Sequence, residues 1–432
     1  MRFPSYSSEW HSYTLGEILT FYSTNSFSRE KLNYDTGSVK NIHYGDIHTK
    51  FPSIVSIDNN KDIPFINDDL DLSKFSEDQY LREGDLIIAD ASEDYEDIGK
   101  AIEVKDINNE KVLAGLHTIL ARDENDMTVN GFKAYLFSTN NLKTKIKIIA
   151  NGISVLGISK NNLSKLNVEI PSKKEQQNIV SFISDIDKKI ELLEKKHQLY
   201  LDFKNYLMQQ IFAQKLRFDF SDEWKIVKLE SLIKKGKAGG TPSSTNSDYY
   251  NGDIPFLSIK DMTDQGKYIV KTEKTITEEG LNNSSAWIIP KNSLLYSIYA
   301  SIGLVAINRS DISTSQAIYG IILKDGVSLE YMYYYLTYFK KNIHKYIETG
   351  TQGNLNAKLL KSFEILLPSL GEQEMIVNVL SIVDEKIENS KKEIEKINEF
   401  KKGSVLKLSN FFLFLLILFM DYFNIVDCCF DI

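Results

Sequence analysis

The chain carries one pattern twice, and this repetition limits its fold more than any other feature of the sequence. Short segments recur in the same order in both halves of the 432 residues. Residues 82–89 (REGDLIIA) correspond to residues 290–297 (PKNSLLYS), and both patterns are typical of a turn followed by a buried strand. A fixed internal period indicates repeated copies of one structural unit. We therefore expect two similar halves.

Each copy ends in a pattern that predicts a long helix beginning just after a proline. Residues 166–180 (LNVEIPSKKEQQNIV) align with residues 363–377 (FEILLPSLGEQEMIV). Four residue types keep constant spacing in the two segments, namely Pro171, Glu175, Gln176 and Ile179 in the first and Pro368, Glu372, Gln373 and Ile376 in the second. The proline ends the preceding strand, and Ser172 and Ser369 are suitable N-caps.

Apolar residues recur along both predicted helices in steps of four and three, which is the heptad spacing. This stripe consists of Ile179, Ile183, Ile186, Ile190 and Leu193 in the first helix and Ile376, Leu380, Val383, Ile387 and Ile394 in the second. The alternative is an amphipathic helix that lies on its own domain, but such a helix needs a broader apolar face. We favour pairing of the two helices, which would run antiparallel because one copy leads directly into the next.

These patterns predict an α+β fold. Two mixed α/β domains in pseudo-twofold repeat are joined by two long antiparallel, coiled-coil-like helices. The expected divisions are a first domain at residues 1–171, a first helix at 172–213, a second domain at 214–368, a second helix at 369–403 and an atypical tail at 404–432.

Composition and motifs argue against a secreted, metal-binding or catalytic protein. The N-terminal residues lack a basic segment followed by an apolar run, and the two cysteines, Cys428 and Cys429, suggest no disulfide framework. A cytoplasmic location is therefore expected. Histidine and cysteine spacings fit no zinc site. The sequence has no P-loop, no dinucleotide fingerprint and no recognisable Ser-His-Asp order, so we expect no metal and no catalytic residue.

One acidic set is compatible with a metal-dependent nuclease. Asp97 precedes Glu103 and Lys105, and an acid followed by Glu-x-Lys can hold a divalent cation that polarises a water. The surrounding stretch is so rich in acids that this order is expected by chance, and the second copy has residues 306–308 (AIN) in the same region. We therefore favour a chance arrangement over a nuclease.

The repeated segments resemble a known family. Residues 236–262 and 350–376 are similar to the opening of a recognition domain and to the domain-to-helix junction in the specificity subunits of type I restriction–modification systems. The first copy shows the junction in a weaker form at residues 152–179. The resemblance covers roughly residues 1–403 and depends on the doubled pattern in the right order.

The resemblance implies a non-catalytic, sequence-specific DNA-binding subunit. In this family each domain reads one half of a split double-stranded DNA site. The helices set the gap and dock two methyltransferase subunits, and restriction subunits join that core. S-adenosylmethionine is then expected on the methyltransferase, and ATP and Mg²⁺ on the restriction partner. A helix of about 35 residues spans on the order of 50 Å, or roughly ten to fifteen base pairs.

Two lysine clusters and one glycine loop are candidate DNA contacts. The clusters lie shortly before the two glycine junctions and comprise Lys143, Lys145 and Lys147 in the first domain and Lys340, Lys341 and Lys345 in the second. Lysine is a good phosphate anchor, although a solvated basic face gives the same pattern. The loop of Gly239, Gly240 and Thr241 permits close approach to a DNA backbone, although a plain turn is equally compatible.

Charge and aromatic residues need a separate interpretation. The net charge of −8 argues against DNA binding on its own. The acids crowd residues 58–97, however, and we expect that stretch to face solvent. The tyrosine-rich segment 331–339 resembles a stacking surface for nucleic acid, but on a helix such aromatics are usually core residues, and duplex binding does not need stacking.

The resemblance stops after residue 403. The apolar part of the tail, residues 411–420, is about half the length needed to span a bilayer. The chain is rich in Asn, Lys and Ile, as an AT-rich gene would encode, so we favour an out-of-frame tail over a membrane anchor or docking segment. The alternative function is a membrane-tethered or protein-binding repeat protein that uses this tail.

Overall fold

The computed structural model describes residues 9–58, 60–299, 301–345 and 355–406, apart from the side chains at 342, 344, 345 and 404–406. The chain divides into two compact units. The first is Met1–Leu193 with Glu393–Ile432, and the second is Glu194–Lys392. Each unit therefore combines one domain with one part of each long helix. The predicted tail lies largely in residues 407–432, outside the described residues.

The described residues of the first unit form thirteen short strands, five short helices and two 3-10 turns before the first long helix. Its strands are β1 (His11–Thr14), β2 (Thr20–Tyr22), β3 (Leu32–Asn33), β4 (Lys40–Ile42), β5 (Ile54–Ser56), β6 (Phe65–Ile66), β7 (Leu86–Ala89), β8 (Ala91–Ser92), β9 (Ala101–Lys105), β10 (Val112–Ala114), β11 (Thr118–Arg122), β12 (Leu156–Gly157) and β13 (Asn167–Ile170). Its helices are α1 (Leu15–Ile18), α2 (Tyr44–Thr49), α3 (Phe132–Phe137), α4 (Asn140–Ile149) and α5 (Lys160–Leu163), with 3-10 turns at Arg29–Lys31 and Glu77–Gln79. The long helix α6 (Lys173–Phe212) follows.

The second unit repeats this arrangement with ten described strands. Its strands are β14 (Lys225–Lys228), β15 (Ile233–Ala238), β16 (Tyr250–Leu257), β17 (Tyr268–Ile269), β18 (Lys274–Ile276), β19 (Leu294–Ser297), β20 (Val305–Asn308), β21 (Ser313–Thr314), β22 (Ile318–Leu323) and β23 (Glu364–Leu367). Its short helices are α7 (Leu229–Leu232), α8 (Ile259–Gln265), α9 (Glu278–Asn282), α10 (Leu329–Phe339) and α11 (Ala357–Lys361), with 3-10 turns at Ser247–Tyr249 and Lys340–Lys345. The second long helix is α12 (Leu370–Leu406).

Both units contain the same five-stranded sheet. The strand order is β2-β11-β7-β9-β5 in the first and β15-β22-β19-β20-β17 in the second. In each sheet the last strand is parallel to its neighbour and the other pairs are antiparallel. The central strands β7 and β19, which contain the two segments aligned in the sequence, are fully buried. A two-stranded antiparallel pair, β1-β13 or β14-β23, joins the start of each domain to the strand before its long helix. The predicted repeat is confirmed.

The two long helices pair antiparallel, as predicted. In the first unit an early part of α6 meets the last turns of α12, with the rings of Phe182 and Phe400 6.4 Å apart. In the second unit the late part of α6 meets the middle of α12, where His197 Nδ1 lies 2.8 Å from Ser390 Oγ. In the same unit Lys204 meets Asp384, so residue numbers rise along one helix as they fall along the other.

The apolar stripe makes two kinds of packing contact along each helix. Ile179 and Ile183 belong to the core of the first domain, and Ile376, Leu380 and Val383 belong to the core of the second. Further along, Ile186 and Leu193 are buried, whereas Ile190, Ile387 and Ile394 are half-buried. The first turns of each helix thus pack on their own domain, which corrects the expectation that the whole stripe serves helix pairing.

Candidate functional site

The glutamine at each helix start ties the helix to its domain. Gln176 is buried, donates to the carbonyl of Pro171 at 2.9 Å and accepts from the Val129 amide at 2.9 Å. Gln373 repeats this bonding: it donates to the Pro368 carbonyl at 3.0 Å and accepts from the Ser328 amide at 2.8 Å. A buried amide needs such partners, so the paired glutamines hold the junction between strand, loop and helix.

The preceding glutamate is also structural. Glu175 and Glu372 are fully buried. The Trp10 indole donates to Glu175 at 3.3 Å, and the Arg217 guanidinium forms an ion pair with Glu372 at 3.0 Å. Both donors lie near the start of their copy of the repeat. The Pro-Glu-Gln pattern therefore closes each domain onto its helix.

A repeated set of three polar residues lies beyond each junction, and no motif in the sequence predicted it. The hydroxyl of Tyr135, on α3, donates to Asp187 at 3.2 Å, and Lys401 from α12 contacts Asp187 at 2.5 Å. In the second unit Tyr334, on α10, donates to Asp384 at 2.5 Å, and Lys204 from α6 contacts Asp384 at 2.6 Å. Each carboxylate thus receives one donor from its domain and one from the other long helix. We call these sets the first and second clamps.

The clamp tyrosines are held in their neutral, donating form. Tyr135 and Tyr334 are 1% and 0% exposed. Burial, together with the adjacent Asp187 or Asp384, raises the pKa of each phenol far above its usual range. A neutral phenol beside a carboxylate can donate a charge-assisted hydrogen bond, and the bond from Tyr334 has the short length typical of this type, whereas that from Tyr135 is longer.

The first predicted lysine cluster lies on α4, and its three side chains are half-buried. Burial lowers the pKa of Lys143. Lys145 donates to the Asn167 carbonyl at 2.7 Å, and Lys147 forms an ion pair with Glu96 at 2.7 Å. Lys145 and Lys147 therefore have partners within the unit, and the role of all three lysines in DNA contact stays a prediction.

The second predicted lysine cluster lies on the 3-10 turn after α10. Lys340 and Lys341 are exposed, while the side chain of Lys345 lies outside the described residues. These two lysines stay candidate phosphate contacts.

The glycines of the predicted loop are required by internal packing. Gly239 and Gly240 are buried. A Cβ on Gly239 would lie 2.2 Å from the Thr314 carbonyl, and one on Gly240 would lie 2.5 Å from the Ala286 amide. These glycines therefore permit close approach to backbone of the same unit, whereas the sequence suggested close approach to a DNA backbone. Thr241 is exposed and donates to the side chain of Gln316.

The tyrosine-rich helix α10 lies in the core, which is the interpretation favoured from the sequence over a nucleic-acid stacking surface. Tyr331, Tyr333, Tyr334, Tyr335 and Phe339 are all at most 8% exposed and belong to the core cluster of the second unit. Most carboxylates of residues 58–97 are exposed, as expected.

The nuclease-like set is not assembled. Glu103 is 1% exposed, forms an ion pair with Lys133 at 2.9 Å and accepts from the amides of Gly131 and Ala134 at 2.7 and 3.0 Å. Its carboxylate therefore anchors the start of α3. Among the described residues no group of three or more His, Cys, Asp or Glu side chains could hold a metal ion. In the same residues, no helix has the length and apolar character needed to cross a membrane.

Comparison with known proteins gives a consistent result. The family model described as type I restriction modification DNA specificity domain matches residues 7–199 and 221–399, one match for each copy of the repeat. The chain is similar to the type I restriction enzyme MjaIX specificity subunit of Methanocaldococcus jannaschii, with 37% identity over 178 residues, which are 40% of this chain and 40% of that relative. It is 26% identical over 334 residues to the putative MjaX specificity subunit of the same organism, covering 74% of this chain and 76% of that relative.

Two solved structures share the fold. A type I restriction–modification S subunit from M. genitalium matches with a TM-score of 0.53 and 13% identity, covering 95% of this chain and 99% of that one. A chain from a structure that describes assembly and conformational transition of the type I R-M system matches with a TM-score of 0.59 and 16% identity, covering 94% and 97%. The doubled domains, the paired helices and the two family matches lead to one conclusion: the chain belongs to the type I restriction–modification DNA specificity family.

Proposed function

We propose that the chain is the DNA-reading subunit of a type I restriction–modification complex. Each domain would read one half of a bipartite double-stranded site, and the helix pair would set the gap between the halves. The observation that carries this proposal is the doubled unit: two domains with the same sheet order, each tied to both long helices. Two similar domains that each contact their own stretch of DNA would recognise a site in two halves.

The candidate DNA contacts fall in both domains. The exposed Lys340 and Lys341 are suited to phosphate contact. Lys145 and Lys147 would reach phosphate only by exchanging their present partners, and Lys143 only by leaving its half-buried position. The −8 net charge does not oppose this role, because the exposed acids are concentrated in residues 58–97 of the first domain.

Chemistry is expected on partner subunits. A methyltransferase would bring S-adenosylmethionine, and a restriction subunit would bring ATP and Mg²⁺. In this account the purified chain with S-adenosylmethionine and DNA transfers no methyl group, and addition of the methyltransferase subunit produces methylation at one bipartite motif. Incorporation of labelled methyl groups measures both reactions. Methyl transfer by the chain alone would show that it is an enzyme and would overturn this part of the account.

The long helices carry a surface suited to partner subunits. Several large apolar side chains outside the stripe are 42–67% exposed, namely Leu192, Leu199, Phe203 and Tyr206 on α6 and Met375 and Ile382 on α12. Exposed apolar patches on soluble chains commonly mark protein interfaces. We propose that the two helices dock two methyltransferase subunits, with the α6 face of Leu199, Phe203 and Tyr206 holding one of them.

The repeat provides a control for the docking surface. The positions in α12 that correspond to Leu199 and Tyr206 are Lys396 and Gly403. Replacing Phe203 and Tyr206 by serine is expected to remove one of two bound methyltransferase copies, because aromatic hot-spot residues contribute about 2 kcal/mol or more each. Native mass spectrometry counts the copies. The control Lys396→Ser should keep both, and loss of no copy from the double variant would count against the surface.

A further inference from the structure

The two clamps occupy repeat-equivalent positions along the helices. The interval from Asp187 to Asp384 equals the interval from Lys204 to Lys401. Because the helices are antiparallel, each lysine serves the clamp that contains the other helix's aspartate. The same three-part contact has therefore formed twice, from different domain sequences. A chance surface ion pair has no reason to recur in this way.

Each clamp joins three elements, one helix of the domain and both long helices. Asp187 connects α3 of the domain, its own helix α6 and the opposite helix α12. Asp384 connects α10, α12 and α6. Apolar packing is not directional, so it permits small rotations of a domain on a helix pair. Hydrogen bonds weaken steeply when their geometry changes, so a three-part contact with hydrogen bonds at its centre resists such rotation.

We propose that Tyr135–Asp187–Lys401 and Tyr334–Asp384–Lys204 are positioning clamps that fix the direction of each domain on the helix pair. Through that direction they determine how strictly the gap of the DNA site is measured, and they read no base themselves. This inference rests on the proposed function. The effect of losing a clamp can be distinguished from a loss of stability, because it changes which gap lengths the protein accepts.

The second clamp has an additional cation. Lys267, just before β17, donates to the Tyr334 hydroxyl at 2.8 Å and lies 3.7 Å from Asp384. The residue just before the corresponding strand β5 is Ser53. With Lys267 in place, Asp384 keeps a cation when Lys204 is removed, whereas removal of Lys401 takes from Asp187 the cation of its clamp. We therefore expect Lys401→Met to loosen gap selection more than Lys204→Met.

The test uses the full chain assembled with its methyltransferase partner. The assembly methylates a DNA library in which the two half-sites are fixed and the gap length varies, and sequencing counts methylated sites. Tyr135→Phe and Tyr334→Phe keep the rings and remove the hydroxyls. We expect methylation of sites whose gap is one base pair too short or too long to rise about two- to tenfold relative to sites with the native gap, which is the range for loss of one hydrogen bond. The half-site bases should not change.

Two controls separate positioning from general destabilisation. Tyr296 is 0% exposed, and its hydroxyl has no partner among the described residues, so Tyr296→Phe should leave gap selection unchanged. The reversed pair Asp187→Lys with Lys401→Asp should restore part of the selectivity lost in Lys401→Met. Unchanged gap selection in both tyrosine variants would overturn the clamp proposal. Absence of any bipartite motif with the unmodified chain would instead overturn the proposed function.

Discussion

Insertion of seven residues after Lys195 and of seven after Lys392 is expected to lengthen the gap in the recognised DNA site by about three base pairs. These two points are repeat-equivalent, so the paired helices stay matched and the heptad phase is kept. Seven helical residues add about 10 Å at 1.5 Å each, and DNA rises about 3.4 Å per base pair. The half-site bases should not change, because neither domain is altered.

The insertion also has an angular consequence. Three base pairs correspond to a rotation of roughly 100° around the duplex, so we expect weaker affinity for the longer site than the unmodified chain has for its own. An insertion of two residues at the same points breaks the heptad phase and should prevent stable pairing of the helices. Mapping of the methylated motif measures the gap in each case. Retention of the native gap by the seven-residue variant would show that the helix pair does not set it.

Lys133→Met is expected to lower the free energy of unfolding by about 3–5 kcal/mol at pH 8, the usual cost of leaving one partner of a buried ion pair. Lys133 and Glu103 are 3% and 1% exposed, and their charged atoms are 2.9 Å apart. Burial raises the pKa of Glu103 above its ordinary value, and the charge of Lys133 pulls that pKa back down. Lys133→Met loses this compensation, so the pKa of Glu103 in the folded state rises further.

The pH dependence of the Lys133 variant follows from this direction. A carboxyl group whose folded pKa is above its unfolded pKa of about 4.5 binds more protons in the folded state, so stability falls as pH rises between the two values. The deficit of Lys133→Met relative to the unmodified chain should therefore be smaller at pH 5 than at pH 8. Urea unfolding at both pH values measures it. The control Glu103→Gln with Lys133→Met has no charged group at this pair, so its deficit should not grow from pH 5 to pH 8 as that of the single variant does. An equal deficit of the single variant at both pH values would contradict the assignment.

The repeat made most of the fold predictable. The aligned segments 82–89 and 290–297 became the central strands β7 and β19, because a short apolar run after a turn is suited to the middle of a sheet. The long helices begin close to the predicted residues, because a proline and a capping serine define that boundary locally. Such local signals do not depend on tertiary partners, and the repeat shows each of them twice.

The partners of individual side chains were less predictable. A heptad stripe shows which face of a helix is apolar, but it does not show whether that face meets a domain or another helix, and Ile179 and Ile376 meet domains. Equally, the sequence does not show which acid a lysine pairs with. In the structure Lys147 forms an ion pair with Glu96, and no pattern in the sequence predicted it.

The clamps were hidden for the same reason. Lys204 and Lys401 lie far along the chain from the tyrosines that share their aspartates. Their equal spacing from copy to copy was the one signal in the sequence, and it becomes meaningful once the helices are known to be antiparallel.

Exchange of the second domain tests the central claim most directly. Residues 214–368 would be replaced by the equivalent domain of a relative with a different recognition site, the chain would be assembled with its methyltransferase partner, and the methylated motif would be mapped across a genome. If each domain reads one half-site and the helix pair sets the gap, one half of the motif changes, while the other half and the gap length stay the same. A motif in which both halves change, or in which the gap changes while the bases persist, would contradict the account.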